Sequence, residues 1–278
     1  MLRSLWTAAT GMRAQQTNVD TIANNLANVN TTGYKTEVNE FKSLLYQTIQ
    51  TKTTTANGDQ KPIPAQVGLG VRNASITSIF TDGALLASES DSAFGLSGRG
   101  FFSVRGEDGN VYYTRSGNFN WAINERGGIV LTNSDGLPVL DTNGNAISFG
   151  NEYISSRITV TGDGTFCYPD EANNPQPILN AQGNQIRFGL FQFNNPAGLE
   201  KEDSGLFSVS AASGLALNEA TTQGIERTKV SQGYLEGSNV QVVDEMVNLI
   251  TAQRAYELNS KAITASDEML QQANNLRR

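Results

Sequence analysis

The 278-residue chain contains no histidine and one cysteine. Without histidine the commonest general base and transition-metal ligand are missing, and no Ser-His-Asp triad can form. One cysteine excludes an intrachain disulfide, and zinc sites built from four cysteines or from two cysteines and two histidines. Charge is sparse as well, at 17% of residues. The 20 Lys and Arg against 27 Asp and Glu leave a net charge of −7, so the chain as a whole lacks the basic footprint expected for nucleic acid or an anionic membrane. No apolar run is long enough to cross a bilayer. The opening MLRSLWTAATGMRAQQ carries an early Arg3 but breaks at Thr7, Thr10 and Arg13 before an apolar signal core forms. The expectation is therefore no cleaved signal peptide, and either a cytoplasmic protein or one exported by a route that leaves this end in place. No cofactor, metal, nucleic-acid or membrane-insertion signal is found, and the composition leans away from an ordinary enzyme.

Two regular helical segments stand at the ends. Leu2, Leu5, Ala9, Met12, Gln16, Val19, Ala23 and Leu26 are spaced alternately by three and four, a heptad seam. Gly33 predicts a helix end near Asn30. A second short helix is predicted over residues 41–49. Near the other end, Ser238 and Gln241 make an S-x-x-Q capping box, and from there to Leu276 the chain has neither Gly nor Pro. Its apolar residues run through Val243, Met246, Val247 and Ile250, then shift to Ala255, Leu258, Ala262, Ala265, Met269 and Leu276. A two-helix hairpin could cover only one of these directions. Burying both calls for further helices, most simply from other copies of the chain.

The middle reads as β-structure. Turn pairs Asp108-Gly109, Ser116-Gly117, Asp135-Gly136 and Asn143-Gly144 separate FFSV (101–104), VYYT (111–114), GIVLT (128–132) and LPVL (137–140). RITVTGDGTFCY (157–168) and QIRFGLFQF (185–193) follow. In the last segment Ile186, Phe188 and Leu190 share one face and Phe191 and Phe193 the other, so both faces should be covered near its end. The predicted class is α+β: a helical part over 1–49, an extended linker over 50–68, a β-rich domain over 69–234 and a closing helix over 235–278.

Possible chemistry is thin. The glycines at 68, 70, 95, 98 and 100 complete neither a dinucleotide nor a P-loop pattern. Asp141 to Asn145 has a faint calcium-loop look, but the sixth position is Ala146, and a hairpin turn fits better. The acid pairs Glu107/Asp108, Glu202/Asp203 and Asp244/Glu245 are read as solvated. Cys167 is read as a small packed residue.

The stretches AQQTNVDTIANNLANVNTTGYK (14–35) and LEGSNVQVVDEMVNLITAQRAYELNSKAITASDEMLQ (235–271) resemble the paired terminal signatures of the bacterial flagellar basal-body rod and hook family. GLSGRGFFSV (95–104), YTRSGNF (113–119) and NNPAGLE (194–200) resemble its β-domain motifs. Within the family, RAYELNSKAI (254–263) and the passage from YQTI (46–49) to VGLGV (67–71) are most similar to distal rod subunits. The chain departs from them at TKTTT in the linker and at extra residues around 166–176.

The resemblance implies a structural subunit exported unfolded through the flagellar type III apparatus. It implies a hollow helical homopolymer in the periplasm-spanning rod that passes torque from motor to hook. Proximal rod and hook proteins would lie at its ends and P- and L-ring proteins around it. The family associates the region carried here by residues 48–68 with rod rigidity. Leu5, Met12, Val19 and Leu26 are expected to pack with Val243, Val247, Ile250 and Leu258, within or between subunits, with Tyr256 on the same helix. Asn24, Asn25 and Asn28 are expected to hydrogen-bond at helix interfaces. Alternative readings are a hook or proximal rod subunit, or a secreted β-rich adhesin.

Overall fold

A computed structural model describes residues 2–50, 65–124, 127–170, 174–180 and 183–276. The chain forms two compact units: Met1–Ala27, Glu37–Ser78 and Gln241–Arg278 in one, Asn28–Thr36 and Ile79–Val240 in the other.

The first unit is built on two helices, α1 (Leu2–Ala27) and α2 (Val242–Asn275). They pair antiparallel. Ser4 Oγ lies 3.3 Å from Ser266 Oγ, Gly11 abuts the Asn259 amide, and Asn25 hydrogen-bonds Glu245. In all three pairs the residue numbers sum to 270, the mark of one unbroken register. Glu245, Ala252 and Ser266 are the buried residues of α2, and all three sit on the same heptad row as Asn259. The expected heptad therefore exists, but its phase is shifted. The row facing α2 is Ser4, Gly11 and Asn25, each one position before Leu5, Met12 and Leu26. Small side chains let the helices approach closely, and Ala8, Ala14 and Ile22 complete the buried side of α1.

The same unit holds a two-stranded antiparallel ribbon. Strand β1 (Glu37–Ser43) and strand β2 (Tyr46–Gln50) run out; β3 (Ala65–Gly68) and β4 (Val71–Ser78) return. Register runs from Glu37 opposite Ser78 to Ser43 opposite Val71, then from Tyr46 opposite Gly68 to Gln50 opposite Ala65. Leu44 N donating to Gly70 O (2.9 Å) joins the two halves. Gly70 has φ +113°, and a Cβ there would collide with Thr10 on α1.

Three sequence expectations are corrected here. Residues 41–49 form strands, not a helix: the spacing of Phe41, Leu45 and Ile49 suits either period, and pairing with the returning strands at 65–68 and 71–78 decides for β. The capping box does not form. Ser238 Oγ accepts from Val240 N at 3.2 Å, and α2 starts beyond Gln241 with no side-chain cap. Gly33 does have a positive φ (+71°), but α1 has already ended at Ala27; the glycine serves a close approach to the backbone of Arg115 and Ser116. Residues 51–64, most of the expected linker, lie outside the described residues.

The second unit is β-rich. Its largest sheet has six antiparallel-paired strands in the order Glu200–Lys201, Leu206–Ser208, Val111–Thr114, Phe101–Arg105, Leu190–Gln192 and Leu217–Asn218. Side chains alternate across a strand, so the adjacent Phe101 and Phe102 serve different cores. Phe102 packs with Phe94, Phe119, Phe166 and Phe188 in the larger cluster; Phe101 packs with Tyr113, Phe193, Leu199 and Phe207 in the smaller. Ile186, Phe188 and Leu190 enter the larger core while Phe191 and Phe193 serve the smaller, so the strand is covered on both sides as its pattern required. Residues 137–140 pair only through isolated bridges from Pro138, Val139 and Leu140. Asp108-Gly109, Asp135-Gly136 and Asn143-Gly144 all turn with positive φ at glycine.

Phe188 is the hub of the larger core, with ring centroids 4.7–5.0 Å from Phe166, Phe94 and Phe102. Phe188→Ala should lower unfolding stability by about 3–5 kcal/mol in a urea titration of the full chain. A loss below about 1 kcal/mol would contradict a single packed core there.

Candidate assembly surface and buried ion cluster

The helical unit leaves much of its apolar surface uncovered. On α2, Val243 is 75% exposed, Val247 and Ile250 55%, and Leu258 65%. At 100° per residue these four lie roughly 140–220° around the helix from Glu245, on the side away from α1. Met246, Tyr256 and Met269 are exposed as well. On α1, Leu5, Met12, Val19 and Leu26 are half-buried, and Trp6 is exposed. The structure thus does not bring the two predicted apolar rows together within one chain; small and polar groups occupy that seam instead.

The asparagines divide. Asn25 is buried, its Nδ2 donating to Glu37 O (2.8 Å) and its Oδ1 accepting from Glu37 N (2.9 Å). It ties the end of α1 to the start of the ribbon in addition to meeting Glu245. Asn24 is exposed, with Nδ2 3.5 Å from Glu37 Oε2. Asn28 Oδ1 accepts from Thr31 Oγ1 (3.1 Å) and shapes the turn after α1.

Of the acid pairs, Glu245 departs from expectation. It faces the helix seam rather than water, and burial raises its carboxyl above the ordinary glutamate range, opposed by the hydrogen bond from Asn25. The Asp141 loop is a turn: Asp141 Oδ1 accepts from Asn143 N and Asn145 N, both at 2.8 Å. Cys167 is buried, which pushes its thiol pKa up. Among the described residues no cluster of three or more His, Cys, Asp or Glu is placed to hold a metal, and no helix is long and apolar enough to cross a membrane.

Sequence reasoning missed a buried ion cluster in the β-rich unit. Glu236 is 1% exposed. Its Oε1 accepts from Lys35 Nζ (2.6 Å), Gly83 N (3.0 Å) and Arg115 Nη2 (3.1 Å). Arg115 Nε lies 3.1 Å from Oε2 without hydrogen-bond alignment, so that contact is Coulombic only. Arg115 also donates to Asp82 Oδ1 (2.9 Å) and to the carbonyls of Gly98 and Gly100 (2.7 and 2.6 Å). Lys35 donates a second bond to Thr81 O (2.7 Å). Two cations thus balance two anions. Burial and the neighbouring Arg115 hold the Lys35 ammonium below the ordinary lysine range, against the pull of Glu236. Lys35, Arg115 and Glu236 sit in TTGYK, YTRSGNF and LEGSNV, where the only available signal was a charge inside each motif.

Comparison with known proteins identifies the family. Residues 5–35 match the model described as flagella basal body rod protein, and residues 231–276 match flagellar basal body rod FlgEFG protein C-terminal. Residues 95–168 match flagellar hook protein FlgE/F/G D1 domain. The flagellar basal-body rod protein FlgG of Borreliella burgdorferi is 42% identical, covering all of both chains. The chain belongs to the flagellar basal-body rod family. Two Bacillus subtilis members also align over the full length of both chains: flagellar basal-body rod protein FlgG at 36% identity and flagellar hook-basal body complex protein FlhP at 32%. The family-matched ends are the segments that build the paired helices, and the match at 95–168 covers much of the aromatic core. A rod-family subunit needs surfaces for its neighbours, and α2 presents an uncovered apolar face.

Lys35→Met removes one partner of a buried ion pair and should destabilise the chain by about 3–5 kcal/mol, whereas Lys35→Met with Glu236→Gln should recover part of that loss. Equal loss in the single and double variants, by urea titration, would mean that the pair is not coupled. For Glu245, a raised folded-state pKa means that a penalty is present above that pKa and lifts as pH falls through it. Helix-pair stability should therefore rise on acidification from neutral toward mildly acid pH, and Glu245→Gln should flatten that slope in helix circular dichroism.

Proposed function

We propose that this rod-family subunit builds the distal segment of the flagellar rod, a hollow helical homopolymer that carries torque toward the hook. The observation that carries the reading is the uncovered apolar side of α2. An exposed apolar row opposite a closed seam needs a partner, and a second copy supplies one of matching chemistry. In the polymer, Val243, Val247, Ile250 and Leu258 of one copy pack against the Leu5, Met12, Val19 and Leu26 row of another, with Tyr256 at the edge. Many weak apolar contacts, repeated by helical symmetry, resist twist collectively. The similarity to FlgG proteins favours the distal rod, and the similarity to FlhP keeps other rod-family positions in view.

The further assignments rest on the family resemblance. The subunit leaves the cell unfolded through the type III export apparatus with its N-terminus uncleaved. It stands in the periplasm-spanning part of the basal body, meets proximal rod and hook proteins at the ends of its segment, and is surrounded by P- and L-ring proteins. Its task is structural rather than catalytic. Linker residues 50–68 contribute stiffness to the assembled rod.

Two variants test the assembly surface. Val247→Lys sits on exposed surface and should change monomer stability by no more than about 0.5 kcal/mol, yet abolish polymer in sedimentation and electron microscopy. Deleting residues 241–278 should leave a folded β-rich unit that does not polymerise; rods formed by the truncated chain would refute the role given to α2. Straight, stiff assemblies support the distal rod, and curved flexible ones would move the assignment to the hook.

A further inference from the structure

The chain passes between its two units four times, after residues 27, 36, 78 and 240. On the β-rich side, three of these passages are gathered by two side chains. Asn239 Oδ1 accepts from Thr36 N and from Thr36 Oγ1, both at 2.7 Å. Asn239 Nδ2 donates to Ile79 O (2.9 Å) and Thr81 Oγ1 (2.8 Å). Ile79 N closes the set by donating to Thr36 O (2.9 Å). Thr36, Ile79 and Asn239 are each within two residues of a passage. One layer further in, Glu236 joins its own segment to the other two through Lys35 and Gly83 and binds Arg115 as well, while its own carbonyl accepts from Gly33 N (2.8 Å).

The chemistry of this knot differs from that of the two aromatic cores beside it. Apolar contacts are non-directional and let surfaces slide at little cost. Hydrogen bonds and ion pairs shielded from water are directional, and parting them strands polar or charged groups in a medium that cannot solvate them. A joint that must hold position under a pull is better made from the second kind. Here the polar joint is placed where covalent chain from the helical unit enters.

We propose that Asn239 and Glu236 are the force-transfer residues of the subunit: tension or twist reaching the β-rich unit along any of these three passages is shared among them at these side chains before it reaches the aromatic core. Both are positioning residues, acting on the chain rather than on a ligand. That the load is torque rests on the rod reading above; that the joint shares force among the three passages does not.

The experiment has two arms. In the first, the purified full chain is pulled in optical tweezers between handles on Asn143→Cys and Lys261→Cys, one in each unit. Asn239→Ala should lower the force of the first rupture by about a third, since four directional hydrogen bonds, two of them part-buried, leave the path at once. Asn133→Ala is the control. It removes an amide that makes three hydrogen bonds to Asp135 and Leu137 in a turn away from the passages, and should leave that force unchanged. An unchanged rupture force in Asn239→Ala, or an equal fall in the control, overturns the proposal. In the second arm, cells carrying Asn239→Ala are tethered and rotated in media of rising viscosity. Rods present in normal number, with torque lost progressively at high load, support the proposal. Torque equal to the parent at every load, with normal rods, overturns its torque part. A first arm that succeeds while this one fails would tell against the drive-shaft reading and leave the joint intact. Should Asn239→Ala fail to fold, Asn239→Asp keeps the acceptor to Thr36 and loses only the donor side. It should lower the rupture force by less, and no fall would overturn the proposal.

Discussion

A carboxylate buried to 1% exposure has to keep its cations, and the β-rich unit is arranged so that Glu236 does. Lys35 reaches it from the segment after α1, Arg115 from the motif beyond the Val111–Thr114 strand, and Gly83 N from the stretch that follows β4. None of these groups can be moved without leaving an unpaired charge away from water, a penalty of several kcal/mol. The segments that carry them are therefore fixed to one another more firmly than their irregular backbone would suggest. Arg115 extends the constraint outward: its remaining donors hold Asp82 and the carbonyls of Gly98 and Gly100, which lead into the Phe101–Arg105 strand between the two cores. A small charge-balanced site thus sets the starting point of the apolar packing.

The helical unit follows the opposite logic. Its internal seam is made of Ser, Gly, Asn, Ala and Glu, which contribute little hydrophobic stabilisation but permit close approach. Apart from the buried Ile22, the leucines, valines and isoleucines stand beside that seam or across the helix from it. Intrachain pairing and the proposed intersubunit packing therefore use different rows of the same two helices, and neither has to be undone for the other to form. Glu245 marks the boundary. Its burial at the start of α2 costs free energy in the single chain, and the Asn25 contact offsets part of that cost.

How much of this was readable follows from where the information lies along the chain. The strands at 101–104, 111–114 and 129–132 declare themselves through alternation and glycine turns, and the two-faced aromatic run at 186–193 foretold a strand covered on both sides. The heptad at the N-terminus declared its period. It could not declare its phase, because apolarity marked the Leu5, Met12, Val19 and Leu26 row while the chain's own partner took the small row one residue earlier. The ribbon was mistaken for a helix since Phe41, Leu45 and Ile49 satisfy both periods, and the strand that decides is some thirty residues away. The ion cluster is drawn from positions 35, 82, 115 and 236, whose separation gives no local pattern at all. The family motifs contained three of these residues without indicating that they meet.

The constant sum of 270 across the helix pair has a consequence for how such a chain can vary in length. Adding one residue within α1 or α2 would turn everything beyond it by about 100° and bring a different row to the seam in place of Ala252 and Ser266. Length change that keeps both row and register comes in steps of a whole heptad, made in the two helices together. The turns of the β-rich unit carry no such arithmetic. Growth and loss of residues should therefore collect in its loops, while the two helices keep their length together as a single counted object.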